Sequence, residues 1–428
     1  MNAHAENGPE DGQAVDTCDA LVLGGGPGGA ATAILLAEAG LDVVLVEKDR
    51  HPRFHVGESL LPHSLPILER LGVLEAVRGI GVYKPGAEFV SECGTKTVVF
   101  DFANQLLDGP DHAFQVRRAE FDRILFERAR AVGVTTREET LAEVVSCDSE
   151  RAVISLRGPD GTRLVEAGIL VDASGRSTVT ARLRAEKTPD PRNTSAAIFA
   201  HFRGVPRAEG PAGGNIRVHL TDPGWVWQIP LPEGMTSMGL VAPKDYMLTR
   251  KGDIESFFRG HCARHPEIAR IVGNAESAVP MGATGNFSYR AAAAHGPGHI
   301  KVGDAYGFLD PIFSTGIHLA LLGAVEATEA VVAARARPAE RARIMARYDR
   351  NMRARLDYAS WFVYRINEPV FREMFMNPRN FLGIEQAVIS LLAGDFRKDW
   401  RLRSRIWLFK VIRRSVERNK ASKVKAHA

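Results

Sequence analysis

The residues best suited to chemistry lie between positions 303 and 318, in the sequence GDAYGFLDPIFSTGIH. Asp304 follows a short apolar run, so its carboxylate would stand at the end of a buried strand. After a turn at Asp310, the residues Ser314, Thr315 and Gly316 lead into a predicted helix. The first N–H groups of a helix have no partner within it and attract anions. The segment therefore predicts a small-anion site at Thr315 and Gly316.

A second set of residues predicts a bound dinucleotide. Gly24, Gly26 and Gly29 have the spacing G-x-G-x-x-G between an apolar strand and a helix. In such a turn the first glycine permits the bend, the second admits the pyrophosphate and the third lets helix and strand pack closely. Glu47 ends the next apolar run, where a carboxylate would bind the ribose. We expect FAD here, with Asp304 accepting a hydrogen bond from a ribityl hydroxyl.

Further cofactor contacts are predicted around these glycines. Arg53 and Ser59 lie in the segment PRFHVGES and could line the flavin, while Arg118 begins a predicted helix. Ile317, which follows Thr315 and Gly316 of the predicted anion site, is also predicted to bind the cofactor. The sequence has one dinucleotide fingerprint and no convincing second one for NAD(P)H. This favours an enzyme that receives its flavin already reduced by another protein.

The order of the elements predicts the fold that must hold these residues. An apolar run at 20–23, a helix at 30–39 and a strand at 41–46 form a βαβ opening, the unit of parallel sheets. Residues 197–241 are rich in β-branched and aromatic residues and predict an antiparallel sheet over a substrate cavity. Other predicted strands are 89–102, 144–156, 164–171 and 299–303, and other helices are 65–74, 118–131 and 316–335. The fold class is α/β: a doubly wound FAD-binding domain like that of glutathione reductase, an antiparallel substrate region and a helical C-terminal part.

Composition bounds the organisation of the chain. It has 428 residues, 45% hydrophobic and 25% charged, and no uninterrupted apolar stretch of membrane-spanning length. Residues 1–17 are predicted to be a disordered leader and 18–340 an FAD module, with the substrate sheet inserted at about 85–110 and 190–290. Residues 341–428 should be helical with a basic tail. The four cysteines form no C-x-x-C pair, which predicts a reducing cytoplasm and no metal site.

Six segments taken together resemble one known family. They are GGGPGG at 24–29, PRFHVGESLLP at 52–62, YKPGAEF at 83–89, VDASGR at 171–176, GWVWQIP at 224–230 and GDAYGFLDPIFSTG at 303–316. The family is the flavin-dependent halogenases, in particular the branch that acts on phenols and pyrroles. Its signature is the WxWxIP run, here Trp225, Trp227 and Pro230.

The resemblance implies a reaction. Reduced FAD (FADH2) and O2 would oxidise chloride or bromide, held near Thr315 and Gly316, to hypohalous acid. This acid would travel through an internal tunnel to Lys84, which either hydrogen-bonds it or forms a haloamine. Trp225 and Trp227 would keep the substrate away from the flavin, although two tryptophans on one strand face also suit a packed core. A separate flavin reductase would be the partner.

One position departs from the tryptophan-specific members of that family. They carry a glutamate two residues before the Thr-Gly step, where this chain has Phe313. Without that carboxylate the substrate ring must supply its own activation. This favours a phenol or a pyrrole, either free or tethered to an acyl-carrier protein.

The C-terminal tail concentrates positive charge. From residue 397 to the end there are 12 Lys/Arg and two Asp/Glu, which leaves 43 basic and 49 acidic residues elsewhere. Three interpretations stay open: a packed helix with a solvated basic face, a dock for an acidic carrier protein, or a helix at a membrane surface. No nucleic-acid partner is expected, because no recognition fold accompanies the charge.

Two other functions stay open for the whole chain. The same scaffold could serve an FAD-dependent aromatic hydroxylase or a reductase, since fold does not fix function. The chain could also be a flavoprotein without activity that docks at a carrier or a membrane. The Lys84 and WxWxIP pair favours the halogenase.

Overall fold

The computed structural model of the chain describes residues 15–285 and 288–427. The strands are β1 Asp16–Leu23, β2 Val43–Val46, β3 Val82–Lys84, β4 Gly86–Val90, β5 Thr97–Asp101, β6 Ala113–Gln115, β7 Thr135–Arg137, β8 Leu141–Cys147, β9 Ala152–Gly158, β10 Gly161–Asp172, β11 Lys187–Pro189, β12 Ser195–Arg203, β13 Ile216–Leu220, β14 Trp225–Pro230, β15 Thr236–Pro243, β16 Glu276–Ser277, β17 Gly282–Thr284, β18 Tyr289–Ala291, β19 His295–Gly296, β20 His299–Lys301 and β21 Gly307–Phe308. The helices are α1 Pro27–Glu38, α2 Leu65–Arg70, α3 Leu74–Ile80, α4 Arg118–Ala131, α5 Val179–Leu183, α6 Lys244–Leu248, α7 Ile254–Cys262, α8 Pro266–Val272, α9 Thr315–Ala336, α10 Arg341–Val363, α11 Pro369–Phe375, α12 Ile384–Leu392 and α13 Trp400–His427.

A parallel sheet positions the dinucleotide turn. Its strand order is β19-β20-β10-β1-β2-β7, and β1 runs parallel to both β10 and β2. The carboxyl ends of β1, β2, β10 and β20 therefore meet at one edge. Gly24, Glu47 and Asp304 follow three of these strands, so the fold brings the predicted cofactor residues together. The predicted α/β class is confirmed.

The start of this sheet differs from the sequence prediction. β1 begins at Asp16, so the last two residues of the predicted leader belong to a strand. Their pairing with Val165 and Glu166 of β10 explains the difference, because such a distant partner is not visible in the local sequence. Residues 1–14 of the predicted leader lie outside the described residues.

Helix α9 packs between α1 and α10 and forms part of the core of the parallel-sheet domain. By length and composition it is the one helix among the described residues that could cross a membrane, and 56% of its most apolar window is buried. The same apolar composition suits a helix enclosed by protein. Its first turn carries the predicted anion site to the sheet edge.

A second sheet covers the other side of the site. Its order is β16-β12-β15-β14-β13-β4-β5, antiparallel except where β13 pairs with β4, and β17 pairs with β12. Alternate residues of β14 face opposite sides. Trp225 and Trp227 pack toward the C-terminal helices, whereas Val226 packs toward α7 and α8. Helices α11, α12 and α13 close the apolar layer beneath the tryptophans.

Candidate active site

The dinucleotide turn has a shape that requires its glycines. Gly24 has φ +103°, and a Cβ there would lie 2.4 Å from the Ala173 carbonyl oxygen. A Cβ on Gly29 would lie 1.9 Å from the Gly24 oxygen, so the helix could not approach the strand. Gly26 caps α1 and faces open space, with only the Arg53 guanidinium at 3.8 Å from a built Cβ. The turn thus leaves room for a phosphate at a helix N-terminus.

Glu47 and Arg53 belong to a buried charge network beside this turn. The Glu47 carboxylate accepts hydrogen bonds from the Gly25 N–H at 2.8 Å and from Arg53 at 2.9 Å. Burial would raise the pKa of Glu47, but the charge of Arg53 outweighs it and holds that pKa below its usual value. Arg53 also binds Asp122 at 2.8 Å, and Arg118 binds the same carboxylate through two nitrogens. The two predicted arginines are therefore fixed by one shared aspartate.

Asp304 has the environment expected for a ligand-binding carboxylate. It lies beyond β20, and no described residue donates a hydrogen bond to its carboxylate. Burial raises the pKa of Asp304 to about 6, against the opposing charges of Arg118, Arg176 and Lys187. A partly buried carboxylate without protein donors is free to accept hydrogen bonds from a ligand. Together with the open Gly26 turn, it fits the hydroxyls and the pyrophosphate of FAD.

We expect Asp304→Asn to weaken FAD binding about 10-fold, because a charge-assisted hydrogen bond becomes a neutral one. In the wild type the affinity should fall as the pH drops below about 6, where Asp304 takes up a proton. Titration of the apoprotein with FAD at pH 7.5 and pH 5 measures both effects. Asp245→Asn, on the exposed side of α6, serves as the control. A wild-type pH dependence that persisted in Asp304→Asn would contradict the assignment.

The predicted anion site, Thr315 and Gly316, forms the N-terminus of α9. Ser314 adopts a left-handed conformation before the helix, with φ +55°, and does not cap it with its side chain. Thr315 is buried, whereas a Cβ built on Gly316 would meet nothing within 4 Å. Gly316, in the first turn of this 22-residue helix, therefore borders unfilled space near the positive end of the helix dipole. This arrangement suits a halide ion.

Lys84 is enclosed by protein. It ends β3 with 1% of its surface exposed, and its Nζ donates to Ser59 Oγ and to the Leu60 carbonyl, each at 2.8 Å. The ring of Phe102 lies 5.3 Å from Nζ. Burial lowers the pKa of Lys84 to about 7. Ser59, predicted to line the flavin, thus uses its hydroxyl to hold Lys84.

A small cavity adjoins the Lys84 side chain. Its wall also includes Leu61, Phe313, Ser314 and Leu392, so it borders both Lys84 and the residue before Thr315. The centre of a water-sized molecule can occupy only about 10 Å³ of it, which is the room that one water needs. Hypohalous acid is larger than a water molecule, so it needs small movements of the wall, and an aromatic ring is several times larger still. A ring must displace side chains to enter.

The signature tryptophans belong to the same hydrophobic cluster as most of the cavity wall. Trp227 donates to Ser237 Oγ at 3.1 Å, stacks near Phe199 and lies 5.9 Å from the Trp225 ring. Trp225 lies against the carboxylate of Asp310, whose pKa burial raises to about 6. Pro230 ends β14 where it pairs with Thr236. The two tryptophans are tightly packed side chains. Their role in keeping the substrate away from the flavin stays a prediction.

Most residues of the cavity wall were not predicted from the sequence, and two of them illustrate why. Phe102 lies beneath the Lys84 amine, and Leu392 reaches the cavity from α12, about 300 residues along the chain. An apolar residue in a strand or a helix carries no local sign of chemistry. Only the motif around Lys84 could have indicated where such residues are needed.

Comparison with known proteins gives the class of this chain. The sequence profile of the tryptophan halogenase family matches residues 19–109 and 95–368. The 1H-pyrrole-2-carbonyl-[peptidyl-carrier protein] brominase of Pseudoalteromonas luteoviolacea is 32% identical over 318 residues, 73% of this chain and 77% of that protein. The chain is therefore a member of this family of FAD-dependent halogenases.

Two solved structures share the fold. The flavin-dependent brominase Bmp2 superposes with a TM-score of 0.77 and 26% identity, covering 95% of this chain and all of Bmp2. A flavoprotein/dehydrogenase from Cytophaga hutchinsonii gives 0.85 and 27%, again over 95% of this chain and all of the other. The predicted fold, the FAD cofactor and the halide substrate are confirmed by these relatives, and the interpretation as a flavoprotein without activity was wrong.

Proposed function

We propose that this chain is the halogenating component of a two-component system that halogenates an electron-rich aromatic ring, a phenol or a pyrrole. A separate reductase supplies the reduced FAD, and the reaction takes place in the cytoplasm. Reduced FAD with O2 supplies the oxidising equivalents that convert chloride or bromide to hypohalous acid. The observation that carries the proposal is the small cavity lined by both the buried Lys84 and Ser314, beside the helix N-terminus.

The residues of the chain divide the remaining work. The N–H groups of Thr315 and Gly316 hold the halide, and the apolar wall excludes bulk water from the acid. Phe313 stands at the position where tryptophan-specific members carry a glutamate, so the substrate ring has no carboxylate base there. The ring must therefore be activated by its own hydroxyl or nitrogen.

Lys84 reacts as a neutral amine. Its pKa of about 7 leaves much of it uncharged at neutral pH. Ser59 and Leu60 then occupy both of its N–H groups, which leaves the lone pair to accept the halogen. The N–halogen bond forms as the O–halogen bond breaks, and an amine proton joins the leaving hydroxide as water. The ring then takes the halogen, and its own proton restores the amine.

The test is turnover with added flavin reductase, NADH, FAD and either NaCl or NaBr. Free phenols and pyrroles, and the same rings on carrier proteins, are the substrates. Mass spectrometry should find the isotope pattern of chlorine or bromine, and no such product without halide. A hydroxylated product at saturating halide would instead favour the aromatic hydroxylase, and flavin oxidation coupled only to reduction of the substrate would favour the reductase.

Ser59 should matter through Lys84. We expect Ser59→Ala to reduce halogenation about 10-fold and to move the pH midpoint of the reaction downward. The hydroxyl binds an ammonium more strongly than an amine, so its loss lowers the pKa further. Ser59→Thr keeps the acceptor and should keep the rate. A pH profile of product formation for both variants tests this, and an unmoved midpoint in Ser59→Ala would contradict it.

A further inference from the structure

Helix α13 exposes an unusual set of residues along one side. Six positions at spacings of three and four share that side of the helix, about 27 Å long at 1.5 Å per residue. We call it the Trp–Arg face: Trp400, Arg403, Trp407, Val411, Arg414 and Arg418. Trp400 is 71% exposed and Trp407 is 64% exposed. Large exposed aromatic side chains beside arginines are the residues that dominate protein–protein contacts.

The opposite side of α13 is already used by the protein. Leu402, Ile406 and Phe409 are buried against α11 and α12. A helix that lies in a membrane surface must place its wide apolar face among the lipids. Here that face is covered, and only two tryptophans and a valine remain outside. The free side therefore suits a protein partner better than a lipid surface.

The charge of this face indicates the chemistry of the partner. Arg403 and Arg414 form no ion pair with any residue in 15–285 or 288–427, whereas the neighbouring Arg413 is buried against Glu368 and Glu417. The rest of the chain holds more acidic than basic residues. The two unpaired arginines thus present a local positive field that attracts an acidic surface.

A chain of aromatic contacts connects the inner side of α13 with the wall of the cavity. Phe409, on the inner side of α13, contacts the ring of Phe371 at 5.6 Å, which contacts Phe375 at 5.9 Å. Phe375 lies 5.9 Å from Phe313, a wall residue of the cavity. These three steps limit the distance from Phe409 to the cavity wall to about 17 Å. The Trp–Arg face lies on the far side of α13, about 10 Å farther out, so only a substrate on a long flexible arm could bridge from a partner docked here to the cavity.

We propose that the Trp–Arg face docks an acidic acyl-carrier protein that presents the aromatic substrate on its prosthetic arm. The inference rests on the proposed function and adds the partner and its binding surface. Trp400 and Trp407, about 10 Å apart along the helix, supply the apolar contacts. Arg403 and Arg414 steer the acidic partner.

The test compares one aromatic acyl group in two forms. Pyrrole-2-carbonyl is supplied on an acidic carrier protein or as a small N-acetylcysteamine thioester, with reductase, FAD and NaBr. We compare the wild type with Trp400→Ala/Trp407→Ala and with Arg403→Glu/Arg414→Glu. Each face variant should lose about 30-fold in kcat/KM for the carrier-bound form and change less than about twofold for the thioester.

Arg157→Glu/Arg250→Glu is the matched control, since both arginines are exposed and it changes the net charge equally. It should leave both substrates unaffected. FAD binding and the melting temperature check that each variant is folded, and the arginine pair covers the case in which removal of the tryptophans disturbs α13.

Each other outcome overturns the docking proposal in a recognisable way. Equal losses on both substrates, or no loss on the carrier, exclude a docking role. Turnover of the thioester alone by the wild type excludes the partner but keeps the proposed function, whereas turnover of neither removes both. Sedimentation with phosphatidylserine vesicles that depends on the face, with carrier turnover unchanged, would assign the face to a membrane.

Discussion

Lys84→Met should reduce halogenated product by at least about 1000-fold while the protein still binds FAD and oxidises reduced flavin with O2. Methionine has a similar length and suits the apolar cavity, so the fold should survive the change. It has no amine to receive the halogen. Mass spectrometry of the product and the absorbance of the flavin measure the two activities separately. Lys410→Met, a half-buried lysine on α13 away from the cavity, is the control.

Arginine at the same position separates the two chemistries open to Lys84. Lys84→Arg keeps a cation that can donate a hydrogen bond, but it offers no free amine lone pair. We expect it to be as inactive as the methionine variant. Activity in Lys84→Arg would mean that hydrogen bonding to hypohalous acid is enough, and the haloamine step would be wrong.

The acidity of Lys84 sets the expected pH dependence. Because burial lowers its pKa to about 7, protonation at lower pH removes the lone pair from the cavity. The ratio of halogenated product to O2 consumed should fall about 10-fold per pH unit well below the midpoint. Using this ratio removes the pH dependence of flavin oxidation itself. A ratio that rises as the pH falls would mean that the protonated, ammonium form of Lys84 is the active one.

Gly316→Ala should raise the halide concentration needed for half-maximal rate by about 10-fold or more. A methyl group there meets no protein atom within 4 Å, so it enters only the space that we assign to the halide. Alanine also suits a helix better than glycine, so stability should not fall. Substituting Thr315 with a bulky residue should act in the same direction.

Gly260→Ala on α7 is the matched control for Gly316→Ala. It is also a helical glycine with nothing within 4 Å of a built Cβ, and it lies away from the site. Its halide dependence should equal that of the wild type. If Gly316→Ala also kept the wild-type halide requirement, the anion site would have to be placed elsewhere.

Local sequence patterns predicted most elements near the site, and distant contacts account for the differences. Helix α4 has the predicted bounds, Arg118 to Ala131. The single helix predicted over 65–74 is two helices, because Gly72 has φ +70° and ends the first of them. Helix α1 starts at Pro27, three residues earlier than predicted, since proline suits the first helical position.

The candidate site was only partly visible in the sequence. The glycines, Glu47 and Asp304 follow strands of one sheet, so their meeting at one edge could be predicted from the βαβ order. The environment of Lys84 could not, because its hydrogen-bond partners lie 24 and 25 residues earlier in the chain. Its exposed neighbour Tyr83 gives no sign of this burial.

The small volume of the cavity beside Lys84 limits which compounds can reach this lysine. A space with room for about one water molecule has no room for an aromatic ring until side chains of the wall move. Only a ring that displaces side chains of the wall can reach Lys84. A compound that binds too weakly to displace them stays outside the cavity. In the proposed mechanism, the free energy needed to open the wall would therefore add to substrate selectivity, because only a compound whose binding offsets it would reach Lys84.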